Sequence, residues 1–204
     1  MLDARIRPLL GPSLDRAATW LDVRWVTPNR LTLAGLVVGL GSATAAGARW
    51  WAVALTLWLL SRLLDGLDGP LARRRGGGDP FGGFADIVAD FLVYGAFIVG
   101  MAIGTGAWIP FLVVLLAYYV NGAAFLAFSS IAERESRQID DGRSLSFLGG
   151  LTEGTETVLA CSLFCLLPQY AAPMAWVWAA AVTVTALQRV VLARRTLTGG
   201  AVQP

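Results

Sequence analysis

Asp65, Asp68, Asp86 and Asp90 are the side chains best placed to do chemistry in this sequence. Asp65 and Asp68 are spaced i, i+3, and Asp86 and Asp90 i, i+4, so on helices each pair shares one face. The segment joining the pairs is short, which makes the two helices antiparallel neighbours with converging acidic faces. Their surroundings are apolar, and each charge deep in a membrane helix costs on the order of 2.5–3.5 kcal/mol on insertion scales. Compensation is scarce. There is no His and no Lys, and all 16 basic residues are Arg. Schiff-base lysines, histidine bases and histidine metal ligands are therefore excluded, and carboxylates must do the acid–base and metal work. Arg62 and Arg73 offset part of the negative charge, and a divalent cation is the natural remainder. Hard oxygen ligands on rigid helices suit Mg²⁺ or Mn²⁺. Gly66 and Gly69 flank Asp68, and Gly82 lies one turn before Asp86, leaving room for a bulky phosphate ligand beside the backbone. The alternative use of such acids is in helix-end caps, snorkelling side chains or Arg pairs.

The elements that hold these acids are read from composition. The chain has 204 residues, 56% of them hydrophobic and only 15% charged, against roughly 25% charged in an average soluble domain. Its mean hydropathy is +0.62. These values exclude an ordinary soluble globule, a disordered chain and a nucleic-acid-binding module. Six apolar stretches approach the length of about 20 residues that a membrane helix needs: 31–48, 50–72, 82–104, 107–131, 151–167 and 174–193. Arg49, the run Arg73–Pro80, Gly104-Thr105-Gly106, Glu133–Arg143 and Pro168–Pro173 punctuate them. Arg residues crowd before the first span and after the second, fourth and sixth, whereas the other loops carry only Arg49. The positive-inside rule then puts both termini and the acidic helix ends on the cytoplasmic side. The expected fold is an all-α integral membrane protein of six transmembrane helices.

Leu2, Ile6, Leu9, Leu10, Leu14, Ala17 and Leu21 recur near helical spacing, predicting an interfacial amphipathic helix despite Pro8 and Pro12. The expected organisation is an interfacial helix or arm over 1–30, a six-helix catalytic domain over 31–193 and a cytoplasmic tail over 194–204. The N-terminal segment lacks the pattern of a secretory signal. Cys161 and Cys165 read as small core residues, and Trp50, Trp51, Trp108 and Trp176 as an interfacial belt.

The run Asp65-Gly66-Leu67-Asp68-Gly69-Pro70-Leu71-Ala72-Arg73, eight residues, Gly82, three residues, Asp86, three residues and Asp90 resembles the CDP-alcohol phosphotransferase signature D-x2-D-G-x2-A-R-x8-G-x3-D-x3-D. Every fixed position is present. The resemblance implies a membrane enzyme of phospholipid synthesis that cleaves a CDP-linked alcohol and passes the phosphoalcohol to a second hydroxyl. It implies two divalent cations held by Asp65, Asp68 and Asp86, with Asp90 as general base and a further metal contact. Gly69, Ala72, Arg73 and Gly82, with Asp65, would line the CDP site, and Arg73 would assist catalysis. Pro28-Asn29-Arg30-Leu31-Thr32 is similar to the family's P-N-x-x-T segment, which brings Asn29 and Thr32 to the nucleotide. That segment also reads as proline-led helix initiation with Asn capping. Asp79 departs from the Ser or Thr often found there. The resemblance further implies a homodimer in a prokaryotic cytoplasmic membrane, with its active site facing the cytoplasm.

Glu153 and Glu156 share a face at i, i+3 where the fifth span begins. One reading places them in the acceptor pocket; the other makes them helix N-terminal acids favoured by the dipole. Two carboxylates in the pocket lean toward a neutral polyol or amino alcohol as acceptor for a phosphatidyl group from CDP-diacylglycerol. Arg134, Arg137, Arg143 and Arg189 argue instead for a phosphorylated polyol such as glycerol phosphate or inositol phosphate. Transfer from CDP-choline or CDP-ethanolamine to a lipid alcohol is a further alternative. In a different class, a cation transporter would use the same acids to bind ions.

Overall fold

A computed structural model describes residues 3–77, 79–134 and 151–198. The described residues form helices α1 (Asp3–Leu21), α2 (Pro28–Gly47), α3 (Trp51–Arg74), α4 (Pro80–Thr105), α5 (Trp108–Arg134), α6 (Gly154–Leu166) and α7 (Ala171–Thr198), with a 3₁₀ turn at Pro168–Tyr170 before α7. There is no strand among them. The six apolar stretches of the sequence fall on α2–α7.

Local chemistry explains the boundaries nearest the acids. Thr27 caps α2 by accepting from the Arg30 N–H at 3.3 Å, and Pro28 occupies the first helical position, where its missing N–H costs nothing. Asp79 and Pro80 repeat this arrangement at α4, with Asp79 Oδ1 accepting from the Gly82 N–H at 2.5 Å. Between α3 and α4 the chain turns through Gly76 and Gly77 at φ 93° and 105°, a backbone region natural for glycine.

Two helices differ from expectation in length. α6 has 13 residues, because the chain before Gly154 is its extended capping segment rather than helix. α7 starts earlier than expected and continues past 193, since Pro173 falls in its first turn, where backbone N–H groups have no helical acceptor anyway. α1 forms through Pro8 and Pro12, and its apolar face is what holds it. Ala18 is fully buried, and Leu14, Ala17 and Leu21 pack against Leu31, Leu64, Leu67 and Leu71 of α2 and α3.

α2 packs against both α3 and α4, and α5 pairs with α7. Small residues set the α2–α4 approach. A Cβ on Gly100 or Gly104 would collide with the Ala43 or Ala46 carbonyl, so these backbones meet only because the glycines lack one. Ser42 Oγ donates to Ala54 O and Ser61 Oγ to Gly35 O, both at 2.7 Å, tying α2 to α3 without an unsatisfied hydroxyl. The main core gathers Trp58, Phe97, Met101, Phe111 and Phe164 from α3, α4, α5 and α6. Trp178 Nε1 donates to the Tyr118 hydroxyl at 2.8 Å across α5 and α7. Cys161 and Cys165 are buried free thiols, as expected.

The outside of the bundle is apolar: Val37, Leu112, Leu116, Val177 and Leu187 are all more than half exposed. Four of the described helical segments are long and apolar enough to cross a membrane: Pro28–Gly47, Pro80–Thr105, Trp108–Ala132 and Pro168–Leu197. The chain is thus an α-helical integral membrane protein by length and composition. α3 has the length but carries Arg62, Asp65, Asp68, Arg73 and Arg74, and α6 falls short of the roughly 20 residues of a full crossing.

Candidate active site

α3 ends and α4 begins at one end of the bundle; the two helices are not the close-packed neighbours expected from their short connection, since each packs on α2, and their acids meet as side chains reaching across the space between them. One carboxylate oxygen each from Asp65, Asp68 and Asp86 lies within 4.8 Å of the others. Asp68 is buried, and Asp65 and Asp86 are half-buried. Thr32 of α2 donates its hydroxyl to Asp68 Oδ2 at 2.6 Å, fixing that carboxylate from a third helix. Pro70 follows within α3 and has no N–H for the Gly66 carbonyl, so the helical ladder is interrupted inside the acidic segment. Three convergent, hard, negatively charged oxygen donors form a set that Mg²⁺ or Mn²⁺ accepts readily, and the donor chemistry fits a divalent cation.

Asp90, to which the resemblance assigns the base role and a further metal contact, lies outside this set of three oxygens. It pairs with Arg62, whose Nη1 donates to Asp90 Oδ1 at 2.5 Å. The same nitrogen lies 3.8 Å from Asp65 Oδ2. Further groups hold the Arg62 guanidinium. Its Nη2 donates to Ser61 Oγ at 3.0 Å, and its Cζ sits 4.8 Å from the Tyr94 ring centroid and 5.3 Å from that of Trp58. The arginine side chain is 8% exposed, against 32% for Asp90. The sequence reading uses Arg62 only as a charge offset and gives Trp58 and Tyr94 no part in the site. The available signal was spacing: Trp58 is one helical turn before Arg62, and Tyr94 one turn after Asp90.

The residues expected at the nucleotide surround the same end. Asn29 Nδ2 donates to Asp79 Oδ2 at 3.3 Å, so Asp79 both caps α4 and anchors Asn29. This gives the unexpected acid a structural use. Gly82 lies beneath Asn29, where a Cβ would come within 2.8 Å of Asn29 Oδ1. Gly69 lies beside the Arg73 guanidinium, at 3.5 Å from the position a Cβ would take, and Ala72 is half-buried next to it. Arg73 itself is 65% exposed and stands 4.0 Å from Asp15 of α1. Arg74 and Arg75 reach Asp22 at 3.8 and 2.9 Å, so α1 is strapped to the end of α3 by charge as well as by its apolar face.

Glu153 and Glu156 form the reciprocal capping box of α6. The Glu153 side chain accepts from the backbone of residue 156, and Glu156 Oε2 accepts from the Glu153 N–H at 3.3 Å. Both acids thus sit at the start of α6, as the second reading had them, but the cap is Glu153 itself rather than a threonine. Thr152 and Leu151 bind Thr185 and Gln188 of α7, fixing this turn to the last helix. Nearby on α7, Arg189 is 5% exposed, with Nη1 3.5 Å from Asn121 O and Cζ 5.3 Å from the Phe125 ring centroid. Arg134 is the last residue of α5, while Arg137 and Arg143 lie outside the described residues.

Comparison with known proteins gives a consistent answer. A family model described as CDP-alcohol phosphatidyltransferase matches residues 25–187. The chain is 40% identical over 201 residues to inner membrane protein YnjF of Escherichia coli, covering 93% of this chain and 94% of that one. It is 32% identical over 194 residues to a phosphatidylinositol phosphate synthase of Mycolicibacterium smegmatis, covering 88% of this chain and 82% of the relative. The fold resembles the crystal structure of the Mycobacterium tuberculosis phosphatidylinositol phosphate synthase with CDP-DAG bound. There the TM-score is 0.70 and the identity 22%, with 89% of this chain and 93% of that one covered. A second structure of the same protein, in complex with manganese and citrate, matches at the same TM-score of 0.70 and 22% identity, covering 88% of each chain.

Proposed function

The chain belongs to the CDP-alcohol phosphatidyltransferase family, and from that premise we propose that it transfers a phosphatidyl group from CDP-diacylglycerol to a phosphorylated polyol, releasing CMP. The observation that carries the transfer is the convergence of Asp65, Asp68 and Asp86 within 4.8 Å at the bundle end that also holds Asn29, Gly82 and Asp90. The cofactors are two divalent cations, Mg²⁺ or Mn²⁺, held by Asp65, Asp68 and Asp86. When bound they neutralise the pyrophosphate and stabilise the departing phosphate. A manganese complex of the structurally similar synthase supports this choice.

The chain's own residues do the rest. Gly69 and Gly82 leave space for the nucleotide beside the backbone, with Asn29, Thr32 and Ala72 lining it. Arg73 adds a planar, permanently charged donor for the pyrophosphate. Asp90 takes the proton of the acceptor hydroxyl as its oxygen bonds to the phosphorus bearing the diacylglycerol. The bond from that phosphorus to the CMP oxygen breaks, and CMP departs with the electron pair.

The acceptor reading follows from the acids and arginines around α6. The lean toward a neutral polyol or amino alcohol rested on Glu153 and Glu156 facing the substrate, and a capping box already employs both carboxylates. Buried Arg189, with Arg134 at the end of α5, then supplies the charge for a phosphorylated acceptor. The relatives named phosphatidylinositol phosphate synthase support the same choice. The distribution of arginines supports six membrane-crossing segments with both termini and the site on the cytoplasmic side of a bacterial inner membrane, and the family resemblance supports a homodimer. An acceptor screen tests this reading. Purified enzyme with CDP-diacylglycerol and Mg²⁺ is expected to release CMP with inositol phosphate or glycerol phosphate. Release with free inositol, serine or ethanolamine but with neither phosphate would overturn it.

A further inference from the structure

Arg62 is a costly residue to keep. It lies midway along α3, and its side chain is almost wholly buried. Its Nε is also buried, with no hydrogen-bond partner among the described residues. An unsatisfied buried donor costs about 1–3 kcal/mol, so simple charge balance is an inefficient reason for this arrangement. The groups around it are organised to fix one orientation. Gly35 O accepts from Ser61 Oγ at 2.7 Å, and Ser61 Oγ accepts from Arg62 Nη2 at 3.0 Å. Tyr94 and Trp58 hold the guanidinium plane from two helices, and those two rings meet edge to face with centroids 5.7 Å apart. A chain of contacts thus runs from the α2 backbone through α3 to a single oxygen of a single α4 carboxylate, Asp90 Oδ1.

The nearest other acid is Asp65 at 3.8 Å, beyond hydrogen-bonding range. Arg62 therefore distinguishes among the four aspartates. It makes its hydrogen bond to Asp90, the one acid outside the set of three whose oxygens converge. Lys would not reproduce this, because an ammonium is a point donor without the fork that reaches Asp90 and Ser61 together.

We infer that Arg62 is a positioning residue, which clamps Asp90 through Oδ1 so that its other carboxylate oxygen is aimed at the acceptor hydroxyl. The inference rests on the reading of Asp90 as the proton acceptor. It concerns orientation only, and Arg62 acts through Asp90 rather than on substrate. Loss of such aim by about 1 Å lowers turnover by about 100-fold without weakening the binding of a donor held elsewhere.

The test uses the full-length enzyme in lipid nanodiscs with CDP-diacylglycerol, Mg²⁺ and the best phosphorylated acceptor. R62Q is expected to lower kcat by about 100-fold while KM for CDP-diacylglycerol stays within about threefold. R62K is expected to recover about tenfold of that loss, since it restores the charge but not the fork. CDP binding to R62Q, measured directly, shows that the protein is folded. Should R62Q fail to fold, R62K alone decides, with kcat about tenfold below wild type expected at unchanged KM. Wild-type kcat in R62Q, or in R62K where that variant alone decides, overturns the inference, as does a loss confined to KM. The parent reading fails separately: D90N with undiminished turnover removes Asp90 as base, whereas full activity in R62Q beside an inactive D90N removes only the clamp.

Discussion

At the scale of residues, the acids divide into a group that converges and one that is clamped. Asp65, Asp68 and Asp86 offer three oxygens to one point, while Asp90 is held by Arg62. General bases contribute about 10²–10⁴ in rate, so D90N should lower kcat by that range while leaving CDP affinity nearly unchanged. Single-turnover CMP release and direct CDP titration on the same preparation check the two halves of this statement. Spacing brought all four acids to one end of the bundle, and the resemblance singled out Asp65, Asp68 and Asp86 among them. The Arg62 clamp was legible in neither. It depends on the register at which α3 faces α4 and on Ser61 reaching Gly35 of α2, both of which are long-range packing facts. Glu153 and Glu156 show the opposite case. Their spacing matched both a pocket and acids in a helix's first turn, and only the backbone angles of Glu153, φ −117° and ψ −167°, identify it as the capping residue just before the helix.

At the scale of elements, each catalytic candidate depends on where a helix starts. Asp79 accepts from the Gly82 N–H and holds Asn29, so one side chain sets both the first turn of α4 and the cover over Gly82. D79A should therefore destabilise the protein by about 1 kcal/mol, whereas D79N, which keeps a capping oxygen, should lose less. Thermal unfolding in a single detergent, followed by tryptophan fluorescence, checks the order of the two variants. The apolar runs between Arg, Gly and Pro punctuation located α2 to α5 within a few residues, because a membrane-length apolar helix has few alternatives. The same punctuation misled at α7, where Pro173 looked like a boundary yet sits comfortably in a first turn. α1 shows packing prevailing over local preference: two prolines are tolerated because Leu14, Ala17, Ala18 and Leu21 find an apolar seat on α2 and α3.

At the scale of the whole molecule, the acidic cluster, the strapped α1 and the Arg-rich helix ends share one end of the bundle, and Arg49 marks the opposite end. Cys161 and Cys165 are buried, so new exposed cysteines can report orientation cleanly. In intact cells an impermeant thiol reagent should label R49C and leave R195C unlabelled until the membrane is opened; the reverse pattern would invert the topology. The central claim is that a carboxylate-held divalent metal and Asp90 move a phosphatidyl group at this end. Its most direct test is CMP release by the purified protein from CDP-diacylglycerol and inositol phosphate or glycerol phosphate, with Mg²⁺ or Mn²⁺, with excess chelator, and with D68N. The account predicts CMP release that chelator abolishes, that either metal restores, and that D68N cannot recover with metal at ordinary concentration. CMP release that continues undiminished in chelator, or in D68N without added metal, would contradict it.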